Sequence, residues 1–283
     1  MTTTLVDSNE SLLEAVRAIA TSDDCELPML PEVAAELLRL TNDVDCEASD
    51  IVALIKRDQS LTTHLLRIAN SVRYNTGVTV SSIQQAVARL GLICVREITV
   101  LISCQCRIFD VPGFEKDVRI SFRRSLATGA FCQEIARVRR MNVEEAFLSG
   151  LLHDVGRPIL FQALADRRRK QGLKATDAEI IQAADDHRVV LAARLIGAWG
   201  LTDRVAEAVQ YQLNPEQAPN CVPQAAAVRL AMDLAMNALD PNAMAFDDKN
   251  PHPMLAVLGL YSEQFNTIAR HRDEILEWVN STT

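Results

Sequence analysis

The sequence predicts an all-α protein, a bundle of many helices. Apolar residues recur at helical spacing along most of the 283 residues. Capping residues precede many of these runs, and glycine or proline follows them. No long period-two run of Val, Ile and Thr argues for a sheet. With 48% hydrophobic but 5% aromatic residues, the core must be mainly aliphatic.

The elements follow in order. Ser11 to Ala20 predicts a short amphipathic helix with Leu12, Leu13, Val16 and Ile19 inward. In LPMLPEVAAELLRLTND, Pro31 suits the first helical position, and Val33, Leu37 and Leu40 share a face. Ser49 is the expected cap of DIVALIKRD, Asp58 of QSLTTHLLRIANS, and Ser81 or Ser82 of SSIQQAVARLG. The run LICVREITVLISCQCRIF is apolar enough for a buried helix. Asp110 to Gly113 is a boundary, dividing the chain into units 1–110 and 111–283. A helix from Phe114 to Arg139 follows. Asn142 with Glu145 and Thr176 with Glu179 form capping boxes for the next two helices. Further helices are expected near Asp203 to Leu213, Pro223 to Leu239 and Met254 to Val279, with a loop from Asp240 to Pro253.

The stretch AFLSGLLHDVGRPIL carries the chemistry. Phe147, Leu148, Leu151 and Leu152 mark a buried helix, with His153 and Asp154 in its last turn. Gly156 reads as a helix stop and Pro158 as a bar to continuation. A buried imidazole beside a carboxylate needs either a metal ion or a hydrogen-bonded polar network. His187 and Asp233 lie on later helices and could converge with them on a cation. By spacing alone this is weak, since any helical bundle holds a few interior polar residues.

Several segments together resemble the HDOD family. They are LPMLPEV, IKRDQSLTTHLLRIANS, SIQQAVARLG, GLLHDVGR, DHRVVLAARLIGAW and AVQYQLNP, spread from about Leu27 to Pro215. The resemblance implies a bacterial regulatory and signal-transduction protein. Its expected fold is an HD-domain-like helical bundle with an N-terminal helical subdomain. It is related to the HD and HD-GYP metal-dependent phosphohydrolases, whose ligands run His, His-Asp, Asp. Under that resemblance the first histidine falls at Arg124, and the tandem histidines of HD-GYP enzymes fall at Gln212 and Leu213. A guanidinium cannot ligate a metal and repels one. The implied site is therefore vestigial: Arg124, His153, Asp154, His187, Gln212 and Asp233, with Arg124 salt-bridged to Asp154 or Asp233.

A pseudoenzyme without catalytic residues or cofactor is accordingly expected, acting through a protein partner or a nucleotide-like small ligand. The alternative is a residual phosphohydrolase acting on a nucleotide or cyclic dinucleotide. It would hold Fe, Mn, Zn or Ni on His153, Asp154, His187 and Asp233. The resemblance spans most of the chain, so no appended receiver or cyclase domain is expected, and the signal should arrive through a separate partner or ligand. Asp58, Asn70 and Ser71 also match the family; capping and turn bonding are their expected roles.

Other signals read as structural. Arg167 to Lys170, and Arg137, Arg139 and Arg140, are solvated helix ends. With a net charge of -8 and few aromatics, nucleic acid is not expected to bind. His64, His252 and His271 are expected on surfaces or in a loop, and Trp199 in the core. No Ser-His-Asp or Cys-His arrangement and no phosphate loop is found. Seven cysteines (25, 46, 94, 104, 106, 132 and 221) lack C-x-x-C spacing, which predicts reduced thiols in the cytoplasm. No membrane-length apolar run or secretory leader is seen.

Overall fold

Local capping chemistry sets where several helices begin. In the computed structural model, residues 12–21, 32–41, 46–71, 73–74, 77–92, 94–95, 98–99, 111–240 and 251–282 are described. The regular elements among them are helices: α1 (Leu12–Thr21), α2 (Glu32–Thr41), α3 (Ala48–Ile55), α4 (Gln59–Ala69), α5 (Ile83–Leu90), α6 (Glu115–Arg139) and α7 (Val143–Leu152). Then come α8 (Gly156–Gln171), α9 (Asp177–Ala198), α10 (Asp203–Gln210), α11 (Val222–Leu239), α12 (Met254–Leu258), α13 (Ser262–Ala269) and α14 (Arg272–Thr282). Among the described residues no helix is long and apolar enough to cross a membrane.

Asp58 accepts from the Leu61 N–H at 3.0 Å and Ser82 from the Gln85 N–H at 3.2 Å, as their sequence context predicts. Thr176 and Glu179 form the expected reciprocal box. Asn142 accepts from the Glu144 and Glu145 N–H groups, both at 3.0 Å. Ser49 is a correction. Glu47 caps α3, and the Asp50 carboxylate accepts from the Glu47 N–H, which leaves Ser49 inside the helix. Pro31, Asp110, most of the 92–109 run and the 241–250 part of the predicted loop lie outside the described residues. Val95, Ile98 and Thr99 from that run are buried.

Helices α2 to α5 close over an aliphatic cluster built on Leu37, Ile51, Ile55, Leu65 and Ile83. Asn70 braces the turn after α4, donating to the Leu66 and Val80 carbonyls and accepting from the Val80 N–H at 2.8 Å. The Ser71 hydroxyl donates to the Ile68 carbonyl at 2.7 Å. The expected structural roles of Asp58, Asn70 and Ser71 are therefore visible in their bonds.

Two further cores form the bundle. In one, α6, α7, α11 and α14 enclose Phe131, Phe147, Leu230 and Trp278. Here α6 and α7 cross on glycine: a Cβ on Gly150 would meet the Gly129 Cα and the Thr128 carbonyl oxygen, each at 2.8 Å. The other joins α8 and α9, with Phe114 stacked on Phe161 at 4.9 Å between centroids. Helix α1 packs here rather than on α2 to α5. Val16 and Ile19 are buried in this core while Leu13, expected inward, is 50% exposed. Arg194 of α9 donates to the Ala20 carbonyl at 2.6 Å and so satisfies the free end of α1.

Buried Arg73 ties the N-terminal helices to the bundle. It pairs with Glu134 of α6 at 3.0 Å and lies over the Trp278 ring of α14, 5.8 Å from its centroid.

Candidate functional site

The site forms where α7 ends and α8 begins. His153 caps α7, and the Val155 N–H closes a turn on the Leu152 carbonyl. Gly156 then opens α8, with Pro158 in its first turn. The expectation of Gly156 as a helix stop is thus corrected. Its glycine is required by tertiary contact instead: a Cβ there would lie 2.1 Å from the Arg188 carbonyl oxygen and 2.9 Å from the Ala192 nitrogen. The close crossing of α8 on α9 that results carries Arg188 to Asp154.

His153 and Asp154 are both buried. The His153 Nδ1–H donates to the Gly150 carbonyl at 2.7 Å, which fixes the tautomer and leaves Nε2 bare. Burial depresses the imidazole from its ordinary 6.5 to about 4; the Asp154 charge opposes this, and Arg188 and Arg157 add to it. Asp154 Oδ1 lies 3.0 Å from Arg188 and its Oδ2 3.4 Å from Arg157, and Oδ2 also accepts from the Ser121 hydroxyl. Burial alone would push this carboxyl up. The two guanidiniums, with His153 and Ser121, outweigh it and hold the group below the ordinary carboxylate range. Arg157 also pairs with Asp185 of α9. Two aspartates and two arginines thus form a charge-balanced chain across α7, α8 and α9.

A pH dependence follows. At its depressed value His153 stays neutral in the fold over a range where the unfolded chain takes up a proton. Stability should therefore fall as pH drops from about 6.5 towards about 4. A denaturant midpoint measured across that window should change less in His153→Gln than in the wild type; equal slopes would contradict the assignment.

The other expected site residues are distributed differently. Gln212 is fully buried and its Nε2 donates to the His153 carbonyl at 3.0 Å, so it clamps the turn. Its Oε1 has no hydrogen-bond partner. Leu213 is 44% exposed. Arg124 pairs with neither Asp154 nor Asp233, correcting the expected bridge; it lines a separate groove with Met236 and Leu239. The α6 side chain that reaches Asp154 is Ser121, one turn earlier. His187 is half-buried on α9 beside Arg188. Asp233 lies in its own cluster, 2.9 Å from both Arg229 and His252. Burial raises its carboxyl, but the bonds from His252 and Arg229 win and lower it.

His252 corrects the expectation of a loop or surface histidine. It is buried, accepts from the Met254 N–H through Nδ1 at 3.1 Å, and so donates from Nε2 to Asp233. Lying between Pro251 and Pro253, it offered no helical phase by which to place it. Nor does the sequence, besides missing Ser121, single out Arg157 or Arg188. The first is three residues after Asp154, a spacing from which the pair could have been read. The second follows His187 but reaches Asp154 only through the folding of α9 onto α8.

The metal implied by the HD relationship does not fit these residues. Among the described residues no group of three or more His, Cys, Asp or Glu side chains is placed to hold an ion. Both Asp154 oxygens already face cationic side chains, and a dication there would meet two fixed positive charges.

Comparison with known proteins agrees with the fold. The chain resembles an HDOD domain protein with unknown function from Geobacter sulfurreducens, at 21% identity and a TM-score of 0.66, covering 95% of this chain and 96% of that one. It also resembles a Shewanella amazonensis SB2B protein named "Putative phosphohydrolase", at 21% identity and a TM-score of 0.69, covering 95% and 98%. An uncharacterized protein of Treponema pallidum (strain Nichols) is 25% identical over 203 residues, which is 69% of this chain and 39% of that relative. The chain therefore spans about two fifths of that relative's length. The HDOD domain model matches residues 27–215, from the N-terminal helices through the His153-Asp154 turn to the end of the Gln212 segment. With two thirds of its length so matched and every described element helical, the chain belongs to the HDOD family.

Proposed function

We propose that this HDOD protein is a non-catalytic regulator in a cytoplasmic signal-transduction pathway, acting by binding a protein partner or small ligand. The observation that carries the reading is the state of Asp154. A carboxylate available to a catalytic metal must face a space clear of other cations, whereas here Arg188 lies 3.0 Å from Oδ1 and Arg157 3.4 Å from Oδ2, which also accepts from Ser121. The second aspartate, Asp233, is committed to His252 and Arg229. On this reading the charged residues serve as a polar strut between helices. Free thiols at Cys132 and Cys221 support a reducing compartment.

The test is hydrolysis with metal supplied. Protein incubated with Mn²⁺ or Fe²⁺ should turn over neither bis(p-nitrophenyl) phosphate nor a cyclic dinucleotide above the level of Asp154→Ala. Turnover that Asp154→Ala abolishes would restore the phosphohydrolase reading.

A further inference from the structure

Outside the His153-Asp154 site, a groove of about 390 Å³ runs between α6 and α11, lined by Ile120, Arg123, Arg124, Met236, Leu239 and Asp240. Its floor is apolar and open. Ile120 is 37% and Met236 44% exposed, on a chain whose large aliphatic side chains are mostly buried. Its wall is basic. Lys116 and Arg119 are exposed on the same face of α6 as Ile120 and Arg123, at spacings of three to four residues. Arg124 has no ion-pair partner among the described residues, and Arg123 is steadied by its bond to Asn280 of α14 at 2.7 Å. Such a concentration of cations is unusual on a protein of net charge -8.

We propose that this groove docks an acidic amphipathic helix of a partner protein, with apolar side chains on Ile120, Met236 and Leu239 and carboxylates along the arginines. Charge complementarity and layout both select that occupant. From Lys116 to Arg124 the cations are strung along about 12 Å of helix rather than converging on one point. A row of carboxylates matches a string; a single phosphate group matches a convergence. Among the described residues the lining holds no aromatic ring on which a base could stack. The C-terminal end of α11 and Asp240 close one end of the groove. Methionine and arginine stems adapt to the shape of what they cover. Arg124, which stands where the HD relationship puts a metal ligand, serves here as a contact residue.

The inference rests on the regulatory reading, yet the two fail separately. Turnover in the hydrolysis assay with peptide binding intact would remove the first and leave the groove; no peptide binding in an inactive protein would do the reverse. The probe is a fluorescein-labelled helix of repeating Glu-Glu-Leu-Leu, measured by anisotropy on the full chain. A scrambled isomer of equal charge and inorganic tripolyphosphate are the competitors. Saturable binding is expected, weakened at least about tenfold by Arg123→Glu with Arg124→Glu and opposed by salt. Should the double reversal fail to fold by circular dichroism, Arg124→Gln and Met236→Ser, each at a solvent-facing position, should each weaken binding. No saturable binding, equal binding of the scramble, or binding unchanged in the folded variants would overturn the proposal. Displacement by tripolyphosphate at lower concentration than by unlabelled peptide would also overturn it, reassigning the groove to a phosphate ligand.

Discussion

Asp154→Ala should lower the free energy of unfolding by about 3–5 kcal/mol, because it strands a buried cation instead of removing a surface pair. Arg188 is nearly buried, with 11% of its side chain exposed, and its ion pair at this site is with Asp154. Arg157 keeps Asp185, so Arg188 bears most of the loss. The same reasoning predicts recovery. Asp154→Leu combined with Arg188→Met removes both charges at similar volume and should return most of the stability, since a well-packed apolar pair often equals a buried ion pair. Urea melts of the two single variants and the double give the coupling directly. A loss in Asp154→Ala no greater than about 1 kcal/mol, as for an exposed pair, would mean that the carboxylate is not held as described.

Gly156→Ala should be nearly as damaging, although it adds one methyl group. The added Cβ would lie 2.1 Å from the Arg188 carbonyl oxygen, which is main chain of α9 and cannot rotate away. Helix α8 must withdraw from α9, and overpacking of this kind costs about 1–3 kcal/mol, occasionally more. The displacement also pulls Arg188 from Asp154, so the cost exceeds that of a methyl in a compliant core. Gly197→Ala is the control, because a Cβ there meets nothing within 4 Å. Thermal melts should show Gly156→Ala well below the wild type and Gly197→Ala at or above it. Equal melting of the two variants would contradict the tight crossing.

The features legible in the sequence were local ones. Asp58, Ser82 and Thr176 cap the helices they precede because a cap bonds to N–H groups two or three residues away. Ser49 does not cap α3 because Glu47 and Asp50 form a competing box in the same short stretch. The His153-Asp154 turn was visible as an apolar helical run ending in polar residues. What holds it was not visible, since Arg188 is 34 positions from Asp154 in the numbering and arrives only with the α8–α9 crossing. Gly156 shows the same limit. A glycine after an apolar run reads as a stop, while the actual requirement is a backbone passing close by on another helix. The resemblance directs attention to Arg124, but a motif position carries no side-chain direction, and this guanidinium lines the α6–α11 groove.

Elemental analysis of protein purified without chelator tests the central claim most directly: Asp154 is neutralised by guanidiniums and leaves no place for a cation. Only traces of iron, manganese, zinc and nickel are expected, unchanged in Asp154→Ala. A near-stoichiometric content of any of these, lost on that substitution, would contradict it.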